Sequence, residues 1–257
     1  MTAERLSETE ILRALGARLL SVRIYPTVDS TNSEAKRYAT AGGKAPCAFL
    51  AEAQSAGRGR MGRSFYSPAD TGIYLSLLVR SEDALPDAVM LTTGAAVAVR
   101  RAIRRVTGAE VGIKWVNDLY RDGKKICGIL AESFCLGEER FVILGVGVNL
   151  YTEAFPDELR EIAGSVLDQP QALRNRLAAE LIARLYDLAA DVRPEAFMDE
   201  YRAASVVLGR QIVYCENGVT RSGYAESVDD RGRLHVRHGD GNEAILASGE
   251  ISVRTVE

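Results

Sequence analysis

The sequence predicts an α+β fold in two parts, a larger one that mixes helices with strands and a smaller one built of short strands. In the larger part, apolar residues recur at helical spacing in some segments and fill short runs in others. From Val206 onward, short alternating runs are separated by glycine-containing turns, which is typical of a small antiparallel barrel. The 257 residues are enough to bury a full core. We expect two domains, 1–205 and 206–257, with the boundary near Ser205.

The elements of the first half follow from apolar spacing and from residues that begin or end helices. Ser7 is a candidate N-cap, and Glu34 lies three residues beyond Thr31, as in a capping box. The four polar residues 29–32 exceed what one cap needs, so we expect some of them to face a ligand. The predicted elements are helix 8–20, strand 21–26, helix 31–41, strand 47–53, strand 73–79 and helix 86–107.

The second half contains a predicted β-hairpin, two helices and then the small β domain. An apolar run, a turn at Asp122-Gly123 and a second apolar run form the hairpin signature. Because Lys124 and Lys125 alternate along the second strand, only one of them can face a site. The predicted strands are 111–115, 126–133, 140–148, 211–215, 220–227, 233–237 and 243–247, and the predicted helices are 171–190 and 194–204.

Composition limits the kinds of partner and compartment that we expect. The net charge of −3 gives no global attraction to nucleic acid or to anionic membranes, and no apolar run is long enough to span a bilayer. The four cysteines are far apart without a CxxC pair, as in proteins of a reducing cytoplasm. His235 and His238 fall on opposite faces of a predicted strand, so we expect surface histidines and no zinc site.

The segment 54–68, which we call the arginine loop, concentrates cationic and conformationally free residues. In it Arg58, Arg60 and Arg63 alternate with glycines at 57, 59 and 62. Glycine permits positive φ and close approach of the backbone, and arginine offers a planar fork for carboxylate or phosphate oxygens. The loop therefore suits a small anionic ligand. By itself it is equally consistent with a solvated basic loop or with one that contacts RNA.

Three groups of residues, taken in order, resemble one known family. Residues 30–32 (Ser-Thr-Asn) precede Gln54 and the run GRGRMG at 57–62. KWVND at 114–118 is followed by Lys125 and CGILAE at 127–132, and GVGVN closes at 145–149. In this order, with a small C-terminal β domain, they resemble the biotin protein ligases over the chain from about residue 22 to the end.

This resemblance implies both a fold and an activity. The fold is class II synthetase-like: a mixed, mostly antiparallel sheet flanked by helices, with an SH3-like C-terminal barrel. Residues 1–205 would be the catalytic domain that binds biotin and ATP. The enzyme would use ATP with Mg²⁺ to convert biotin to biotinyl-5′-adenylate. It would then modify one lysine of a biotin carboxyl carrier domain, such as that of acetyl-CoA carboxylase.

The resemblance also implies roles for individual residues. The residues that match biotin-binding positions are Ser30, Thr31, Asn32, Gln54, Gly57, Arg58, Arg60, Lys125, Gly128 and Ile129. Those that match nucleotide-binding positions are Arg58, Arg60, Phe65, Asn117, Lys125 and Asn149, and Asp118 would help to hold Mg²⁺. Lys125, Arg60 and Arg58 would be catalytic, because fixed cations stabilise the negative charge that gathers when a carboxylate attacks a phosphate.

Two departures and two alternatives accompany the resemblance. Val116 stands where the family usually has proline, and Phe65 where many members have tryptophan. The segment before residue 21 is too short for a winged helix-turn-helix, so we expect a monofunctional enzyme, monomeric or homodimeric, without DNA binding. One alternative is a lipoate or octanoate ligase or transferase of the same fold. The other is a non-catalytic module whose arginine loop contacts RNA. The arginine loop and the C-terminal barrel favour biotin, and we expect the barrel to pack near the Lys114–Asp118 strand end and to help position ATP or the carrier domain.

Overall fold

The structure is a computed structural model that describes residues 4–16, 18, 21–81, 87–216, 218–247 and 251–253. The helices in this part of the chain are α1 (Glu8–Leu15), α2 (Thr31–Thr40), α3 (Ala88–Thr107), α4 (Arg174–Ala190) and α5 (Met198–Ala203). The strands up to residue 149 are β1 (Ser21–Val28), β2 (Cys47–Gln54), β3 (Gly72–Ser81), β4 (Gly112–Lys114), β5 (Asp118–Arg121), β6 (Lys124–Leu136) and β7 (Glu139–Asn149). The later strands are β8 (Gln211–Glu216), β9 (Val219–Val228), β10 (Leu234–Arg237), β11 (Glu243–Leu246) and β12 (Ile251–Val253).

The described residues up to 149 form one sheet of seven strands in the order β1-β2-β3-β7-β6-β5-β4. Only β1 and β2 pair in parallel, and the other neighbours are antiparallel. This arrangement confirms the predicted mixed, mostly antiparallel sheet. The inner strand β3, between β2 and β7, is buried on both faces along most of its length, which explains its nearly continuous apolar run.

Helices cover both faces of this sheet, and alternate side chains of the strands pack against them. Ala48 and Leu50 of β2 join the large core that includes α1, α3 and α4. Cys47 and Phe49, on the opposite face, join a smaller cluster under α2. None of the helices in the described ranges is long and apolar enough to cross a membrane.

A buried ion pair anchors both ends of the arginine loop to the core. Arg174, at the start of α4, is almost fully buried, and its guanidinium lies 2.6 Å from a carboxylate oxygen of Glu52 on β2. The same guanidinium donates to the carbonyl of Gly72 at the start of β3 (3.1 Å). Glu52 also accepts from the backbone N–H of Leu6 at 2.8 Å. The end of β2 and the start of β3, between which the arginine loop runs, are therefore both held in place by Arg174.

Several predicted helix boundaries are wrong, and each has a local cause. The predicted helix 8–20 ends at Leu15, where Gly16 has a φ of 68°, whereas Ser7 does cap it by accepting from the N–H of Glu10. Residues 17, 19 and 20 lie outside the described part. The helix predicted from 171 begins at Arg174, and the one predicted over 194–204 divides into a short 3-10 turn and α5. Pro86, the predicted first residue of the longest helix, is also outside the described part.

The predicted capping box at α2 is likewise wrong. Ser30 is the N-cap and its hydroxyl makes no capping bond, whereas Thr31 is already helical. Glu34 accepts from the hydroxyl of Tyr25 and from Arg37 instead of turning back to the cap. Thr31 is engaged in tertiary hydrogen bonds, described below, which take precedence over local capping.

The last strands form a small antiparallel sheet in the order β11-β10-β9-β8-β12, five strands in the described residues. The sequence predicted the first four but not β12. This sheet confirms a small C-terminal β domain, although the pairing in the described residues does not close it into a barrel. His235 lies on β10 and His238 lies just beyond its end, against Tyr214 and the carbonyl of Ser222.

The small sheet packs where the sequence predicts, beside the Lys114–Asp118 strand end. The indole N–H of Trp115 donates to the carbonyl of Gly232 in the β9–β10 turn at 2.9 Å. Ile113 of β4 donates its N–H to the carbonyl of Ala204, and its carbonyl accepts from the N–H of Val206. Ile113 and Ser205 therefore form a parallel β-bridge just before the small sheet begins. The position of the domain boundary near Ser205 stays a prediction.

Candidate functional site

One cavity of about 860 Å³ contains every residue that the sequence marks for the site. It lies between the arginine loop, the start of α2, and the ends of β4 to β7. The predicted residues that line it are Ser30, Thr31, Asn32, Gln54, Gly57, Arg58, Arg60, Phe65, Asn117, Asp118, Lys125, Gly128, Ile129 and Asn149. The fold thus brings together residues from five separate segments of the chain, whereas their individual roles stay predictions.

The first wall of the cavity, which we call the floor, consists of Ser30, Thr31, Asn32 and Gln54. The amide oxygen of Gln54 accepts from the backbone N–H of Thr31 (2.8 Å) and from its hydroxyl (3.2 Å). Its amide nitrogen donates to the hydroxyl of Ser67 at 2.9 Å. The floor is therefore a buried hydrogen-bond network whose geometry is set before any ligand arrives.

Ser76, which the sequence analysis missed, supports the floor from below. It is fully buried on β3, and its hydroxyl lies 2.7 Å from the hydroxyl of Thr31 and 2.5 Å from the amide oxygen of Asn32. A serine inside the otherwise apolar run 73–79 was the available signal, because a buried hydroxyl needs a partner. Ser76 fixes the orientation of two floor residues at once.

The second wall is the arginine loop, which folds back on itself across the cavity. Phe65 donates its N–H to the carbonyl of Gly57 (2.8 Å), and Gly59 donates to Arg63 (2.7 Å). Arg60 donates to the side-chain oxygen of Asn117 at 3.1 Å, which ties the loop to the KWVND segment. The loop is thus ordered by a few hydrogen bonds at its base and side.

Glu132, also missed as a site residue, joins the loop to the floor. Both of its oxygens accept from the guanidinium of Arg58, at 2.8 and 3.1 Å. One of the same oxygens accepts from the amide nitrogen of Asn32 at 2.7 Å. The sequence could not mark Glu132, because its partners lie 74 and 100 residues away along the chain.

Gly62 and Gly57 show the two properties for which the sequence favours glycine in this loop, positive φ and close approach of the backbone. In this segment Met61 and Gly62 have positive φ, 55° and 75°, together with Asp70 just beyond it (65°). A Cβ on Gly57 would instead lie 2.4 Å from the carbonyl oxygen of Phe65. Gly57 is therefore needed for close packing of two backbone segments.

Lys125 faces the cavity and Lys124 does not, which confirms that only one of the pair lies in the site. The ammonium of Lys125 lies 2.7 Å from a carboxylate oxygen of Asp118. A Cβ on Gly128 would lie 3.3 Å from the same ammonium, so the glycine leaves room for the lysine. Lys124 donates to the carbonyl of Arg160 at 2.7 Å on the exposed side.

Cys127 sits close to Lys125 but is unsuited to nucleophilic chemistry. It is completely buried, and burial raises the pKa of its thiol, with the nearby Asp118 carboxylate adding to the effect. A thiol held neutral in this way is not a thiolate nucleophile. The cavity consequently offers fixed cations and hydrogen-bonding groups to a reaction between substrates.

The carboxylates that line the cavity are enough for a magnesium ion only if phosphates and water supply its other ligands. Among the lining residues, Asp118 and Glu158 are the carboxylates. In the described residues no group of three or more His, Cys, Asp or Glu side chains could form a closed metal site. Mg²⁺ bound to a nucleotide needs only one or two carboxylates, since phosphates and water supply the rest.

The segment 150–169, predicted to be irregular, contributes an unpredicted part of the lining. Its apolar residues at 155, 156, 159, 162 and 163 face the cavity. The ring of Phe155 lies 6.3 Å from that of Tyr66 at the end of the arginine loop. Ile251 of the small sheet also reaches the cavity, so the C-terminal domain forms part of the wall.

Comparison with known proteins finds relatives that are biotin ligases. Residues 25–149 match the profile of the biotin/lipoate A/B protein ligase family. The biotin--[acetyl-CoA-carboxylase] ligase of Mycobacterium tuberculosis is 37% identical over 213 residues, which cover 79% of this chain and 77% of that protein. The bifunctional ligase/repressor BirA of Bacillus subtilis is 36% identical over 167 residues, 63% of this chain. The match spans about half (51%) of the length of that relative.

The solved structures share the fold. The biotin protein ligase of Aquifex aeolicus, determined in complex with biotin and ATP, superposes with a TM-score of 0.78. The superposition covers 92% of this chain and 99% of that one, at 22% sequence identity. At this level of identity the likeness concerns the arrangement of helices and strands.

Proposed function

The chain belongs to the biotin/lipoate A/B protein ligase family, among its biotin protein ligases, and on this premise we propose that it attaches biotin to a carrier protein. In the first step it forms biotinyl-5′-adenylate from biotin and ATP. In the second it transfers the biotinyl group to a lysine of a biotin carboxyl carrier domain. The observation that carries the proposal is the cavity itself, whose lining combines a polar floor, an arginine-rich loop and Lys125.

The first step needs the cations of the cavity. A carboxylate oxygen of biotin attacks the α-phosphorus of ATP, a new P–O bond forms, and the bond to the leaving pyrophosphate breaks. Two anions must meet, so we assign Lys125, Arg58 and Arg60 to hold the carboxylate and the α-phosphate. Fixed cations stabilise the charge that develops in the transition state more than they stabilise the separate substrates. A Mg²⁺ ion bound with the nucleotide would offset part of the triphosphate charge, and Asp118 is the carboxylate that we assign to it.

The second step needs protection of the intermediate. The ε-amine of the carrier lysine attacks the acyl carbon, an amide bond forms, the acyl C–O bond breaks and AMP leaves with the loss of the amine proton. Water competes with the amine for the same carbon, so a loop that covers the adenylate favours transfer over hydrolysis. No cysteine is among the described residues that line the cavity, and Cys127 nearby is completely buried, so we assign a transfer directly to the carrier.

The floor favours biotin over lipoate or octanoate. The ureido group of biotin offers two N–H donors and a carbonyl acceptor, and the serine, threonine, asparagine and glutamine of the floor can match both kinds. Lipoate and octanoate lack this group and would leave buried polar atoms unpaired. Such a mismatch can produce a large discrimination between substrates.

One experiment tests the function directly. The purified chain is incubated with MgATP, labelled biotin and a carrier domain, and pyrophosphate release and labelling of the carrier are measured. A carrier with its acceptor lysine changed to arginine is the control, and lipoate and octanoate replace biotin in parallel reactions. Labelling with lipoate but not with biotin would establish the alternative function. Absence of DNA binding, a monomeric or homodimeric state and a cytoplasmic location stay predictions.

A further inference from the structure

The strand that carries Lys125 extends beyond its neighbour in the sheet. Pairing of β6 with β7 begins at Cys127, opposite Val148, and β7 ends one residue later at Asn149. On its other edge, β6 pairs with β5 as far as Lys124, with Lys125 opposite Tyr120. The inward lysine therefore lies on a stretch that β7 does not reach.

Residues 162–164 take the place of β7 at this point. The N–H of Lys125 donates to the carbonyl of Ile162 (2.8 Å), and the carbonyl of Lys125 accepts from the N–H of Gly164 (2.9 Å). Lys125 and Ala163 accordingly form a parallel β-bridge. Both main-chain groups of Lys125 are thus held by this short segment, because the N–H and C=O of one strand residue point to the same side.

The same segment is bonded to another predicted site residue. The side-chain amide of Asn149 donates to the carbonyl of Gly164 at 3.1 Å, and the main-chain carbonyl of Asn149 accepts from the N–H of Val166 at 2.9 Å. Lys124 adds a bond to the carbonyl of Arg160. Residues 159, 162 and 163 at the same time line the cavity. One stretch, 159–166, hereafter the bracing segment, contacts Lys125, Asn149 and the cavity together.

We propose that the bracing segment is a positioning element for Lys125 and that Gly164 is its positioning residue. The proposal rests on the proposed function, because it concerns how the lysine is aimed at the reacting groups. Placement errors of about 1 Å at a reacting centre can lower a rate about 100-fold. Displacement of residues 162–164 would shift the backbone of Lys125 directly, since no side chain intervenes.

The geometry explains why residue 164 is glycine. A Cβ there would lie 2.9 Å from the Cβ of Lys124, closer than real Cβ contacts come. The obstacle is the first carbon of a side chain, so it cannot rotate away. The φ of Gly164 is not in the left-handed region, so alanine at this position changes the contact without adding backbone strain.

The test compares Gly164→Ala with Gly239→Ala, a matched control in which the new methyl group meets open space. For Gly164→Ala we expect the kcat of biotin- and ATP-dependent pyrophosphate release to fall about 10- to 100-fold. The KM for biotin should change by less than about 3-fold, because in the described part of the chain the side chains of Thr31, Asn32 and Gln54 bond within the floor and to Ser67, Ser76 and Glu132, and not to the bracing segment. An equal loss in Gly239→Ala, or no loss in Gly164→Ala, would overturn the proposal.

A second-site variant shows whether the contact is the cause. Lys124→Gly removes the opposing Cβ, whereas Lys124→Ala keeps it and removes the ammonium. Each Lys124 change is combined with Gly164→Ala, and the kcat of the double variant is compared with that of the corresponding Lys124 single variant. Only the double variant that carries Lys124→Gly should approach the kcat of its single variant. Equal rescue by both, or by neither, would show that the Cβ contact does not determine the position of Lys125.

Amide exchange provides a test that needs no substrates. The N–H groups of Lys125 and Gly164 should both be protected from exchange, and both should exchange faster in Gly164→Ala. Exchange of the Lys125 amide in the parent at the rate of an unpaired amide would overturn the bracing role, whatever acid the enzyme activates. A parent with protected amides and no biotin adenylate would instead refute the proposed function alone.

Discussion

The floor and the arginine loop face the same cavity but are held in different ways. Thr31 and Asn32 of the floor are almost fully buried, each with only 4% of its surface exposed, and Ser76 bonds to both of them. Gln54 is half-buried and joins the floor to the base of the loop through Thr31 and Ser67. In the loop the Arg58 side chain is 45% exposed and Met61 is 76% exposed. Two side-chain contacts hold the loop to the rest of the cavity lining: Arg58 donates to the carboxylate of Glu132, and Arg60 donates to the side-chain oxygen of Asn117.

This difference separates recognition from closure. A buried hydrogen-bond network is costly to disturb, because a partner that is lost leaves a polar group unsatisfied in the interior. An exposed ion pair contributes only about 0–1 kcal/mol, so Arg58 can exchange Glu132 for a phosphate or carboxylate of a ligand at little cost. We therefore expect the floor to determine which acid binds and the loop to determine how long the intermediate is retained.

The largest effect is expected at Lys125, the cation that both walls face. Lys125→Ala should lower the rate of adenylate formation about 100- to 1,000-fold, as for loss of a group that stabilises transition-state charge. Lys124→Ala is the matched control, because its ammonium bonds to the exposed carbonyl of Arg160. The rate of pyrophosphate release is the measurement. Normal release by Lys125→Ala together with loss in Lys124→Ala would reverse our assignment of the two lysines.

A pair of glycines on β7 compares the two walls within one strand. A Cβ on Gly145 would lie 2.1 Å from the amide oxygen of Asn32, a buried floor residue held by Ser76 and Glu132. A Cβ on Gly147 would lie 2.5 Å from the half-buried ring of Phe65, on the loop side.

Gly145→Ala should therefore weaken binding of biotin alone by about 1–3 kcal/mol, the cost of disturbing a buried hydrogen-bond network. Gly147→Ala should weaken it less and should act mainly on the KM for ATP. Calorimetric titration with biotin in the absence of ATP measures the first effect. Equal losses of biotin affinity would show that the walls do not differ as we infer.

Within the loop, Arg60→Ala and Gly57→Ala should weaken retention of the adenylate. The first removes a cation, and the second forces apart two backbone segments that approach closely at Phe65. We expect biotinyl-5′-adenylate to appear in the filtrate after ultrafiltration and to label lysines of a bystander protein. Retention as tight as in the parent would exclude a closing role for the loop.

The smallest effect is expected from removal of the charge on Glu132. Glu132→Gln keeps an oxygen to accept from Asn32 but loses the ion pair with Arg58. The free energy of unfolding should change by less than about 1 kcal/mol, and biotin affinity should stay within about 2-fold. Amide exchange in residues 57–63 of the ligand-free protein should become faster. A raised salt concentration should likewise speed exchange in residues 57–63 of the parent protein, and exchange that is unchanged by both the variant and salt would contradict the division between the walls.

Local patterns in the sequence were enough for most of the strands, for the longest helix and for the segments that form the site, but not for β5 and β12. The period-2 alternation of apolar residues depends only on neighbours along the chain, and so does the inference that only one of Lys124 and Lys125 can face the site. That this residue is Lys125 came from the family resemblance. The same local reasoning failed at Thr31, where a capping box was expected. There the hydroxyl bonds to Gln54 and approaches Ser76, residues that no local pattern connects to it.

The tertiary structure alone decided which residues support the predicted ones. Ser76, Glu132 and the bracing segment act on partners that are distant along the chain, such as Asn32, which lies 100 residues from Glu132. The pairing of Lys125 with residues 162–164 is of the same kind, because it exists only where β7 ends short of β6. Hydrogen bonds of this sort form between groups that the sheet has already brought together, so they depend on strand order and register. Strand order and register are properties of the whole sheet and cannot be deduced from the residue type at a single position.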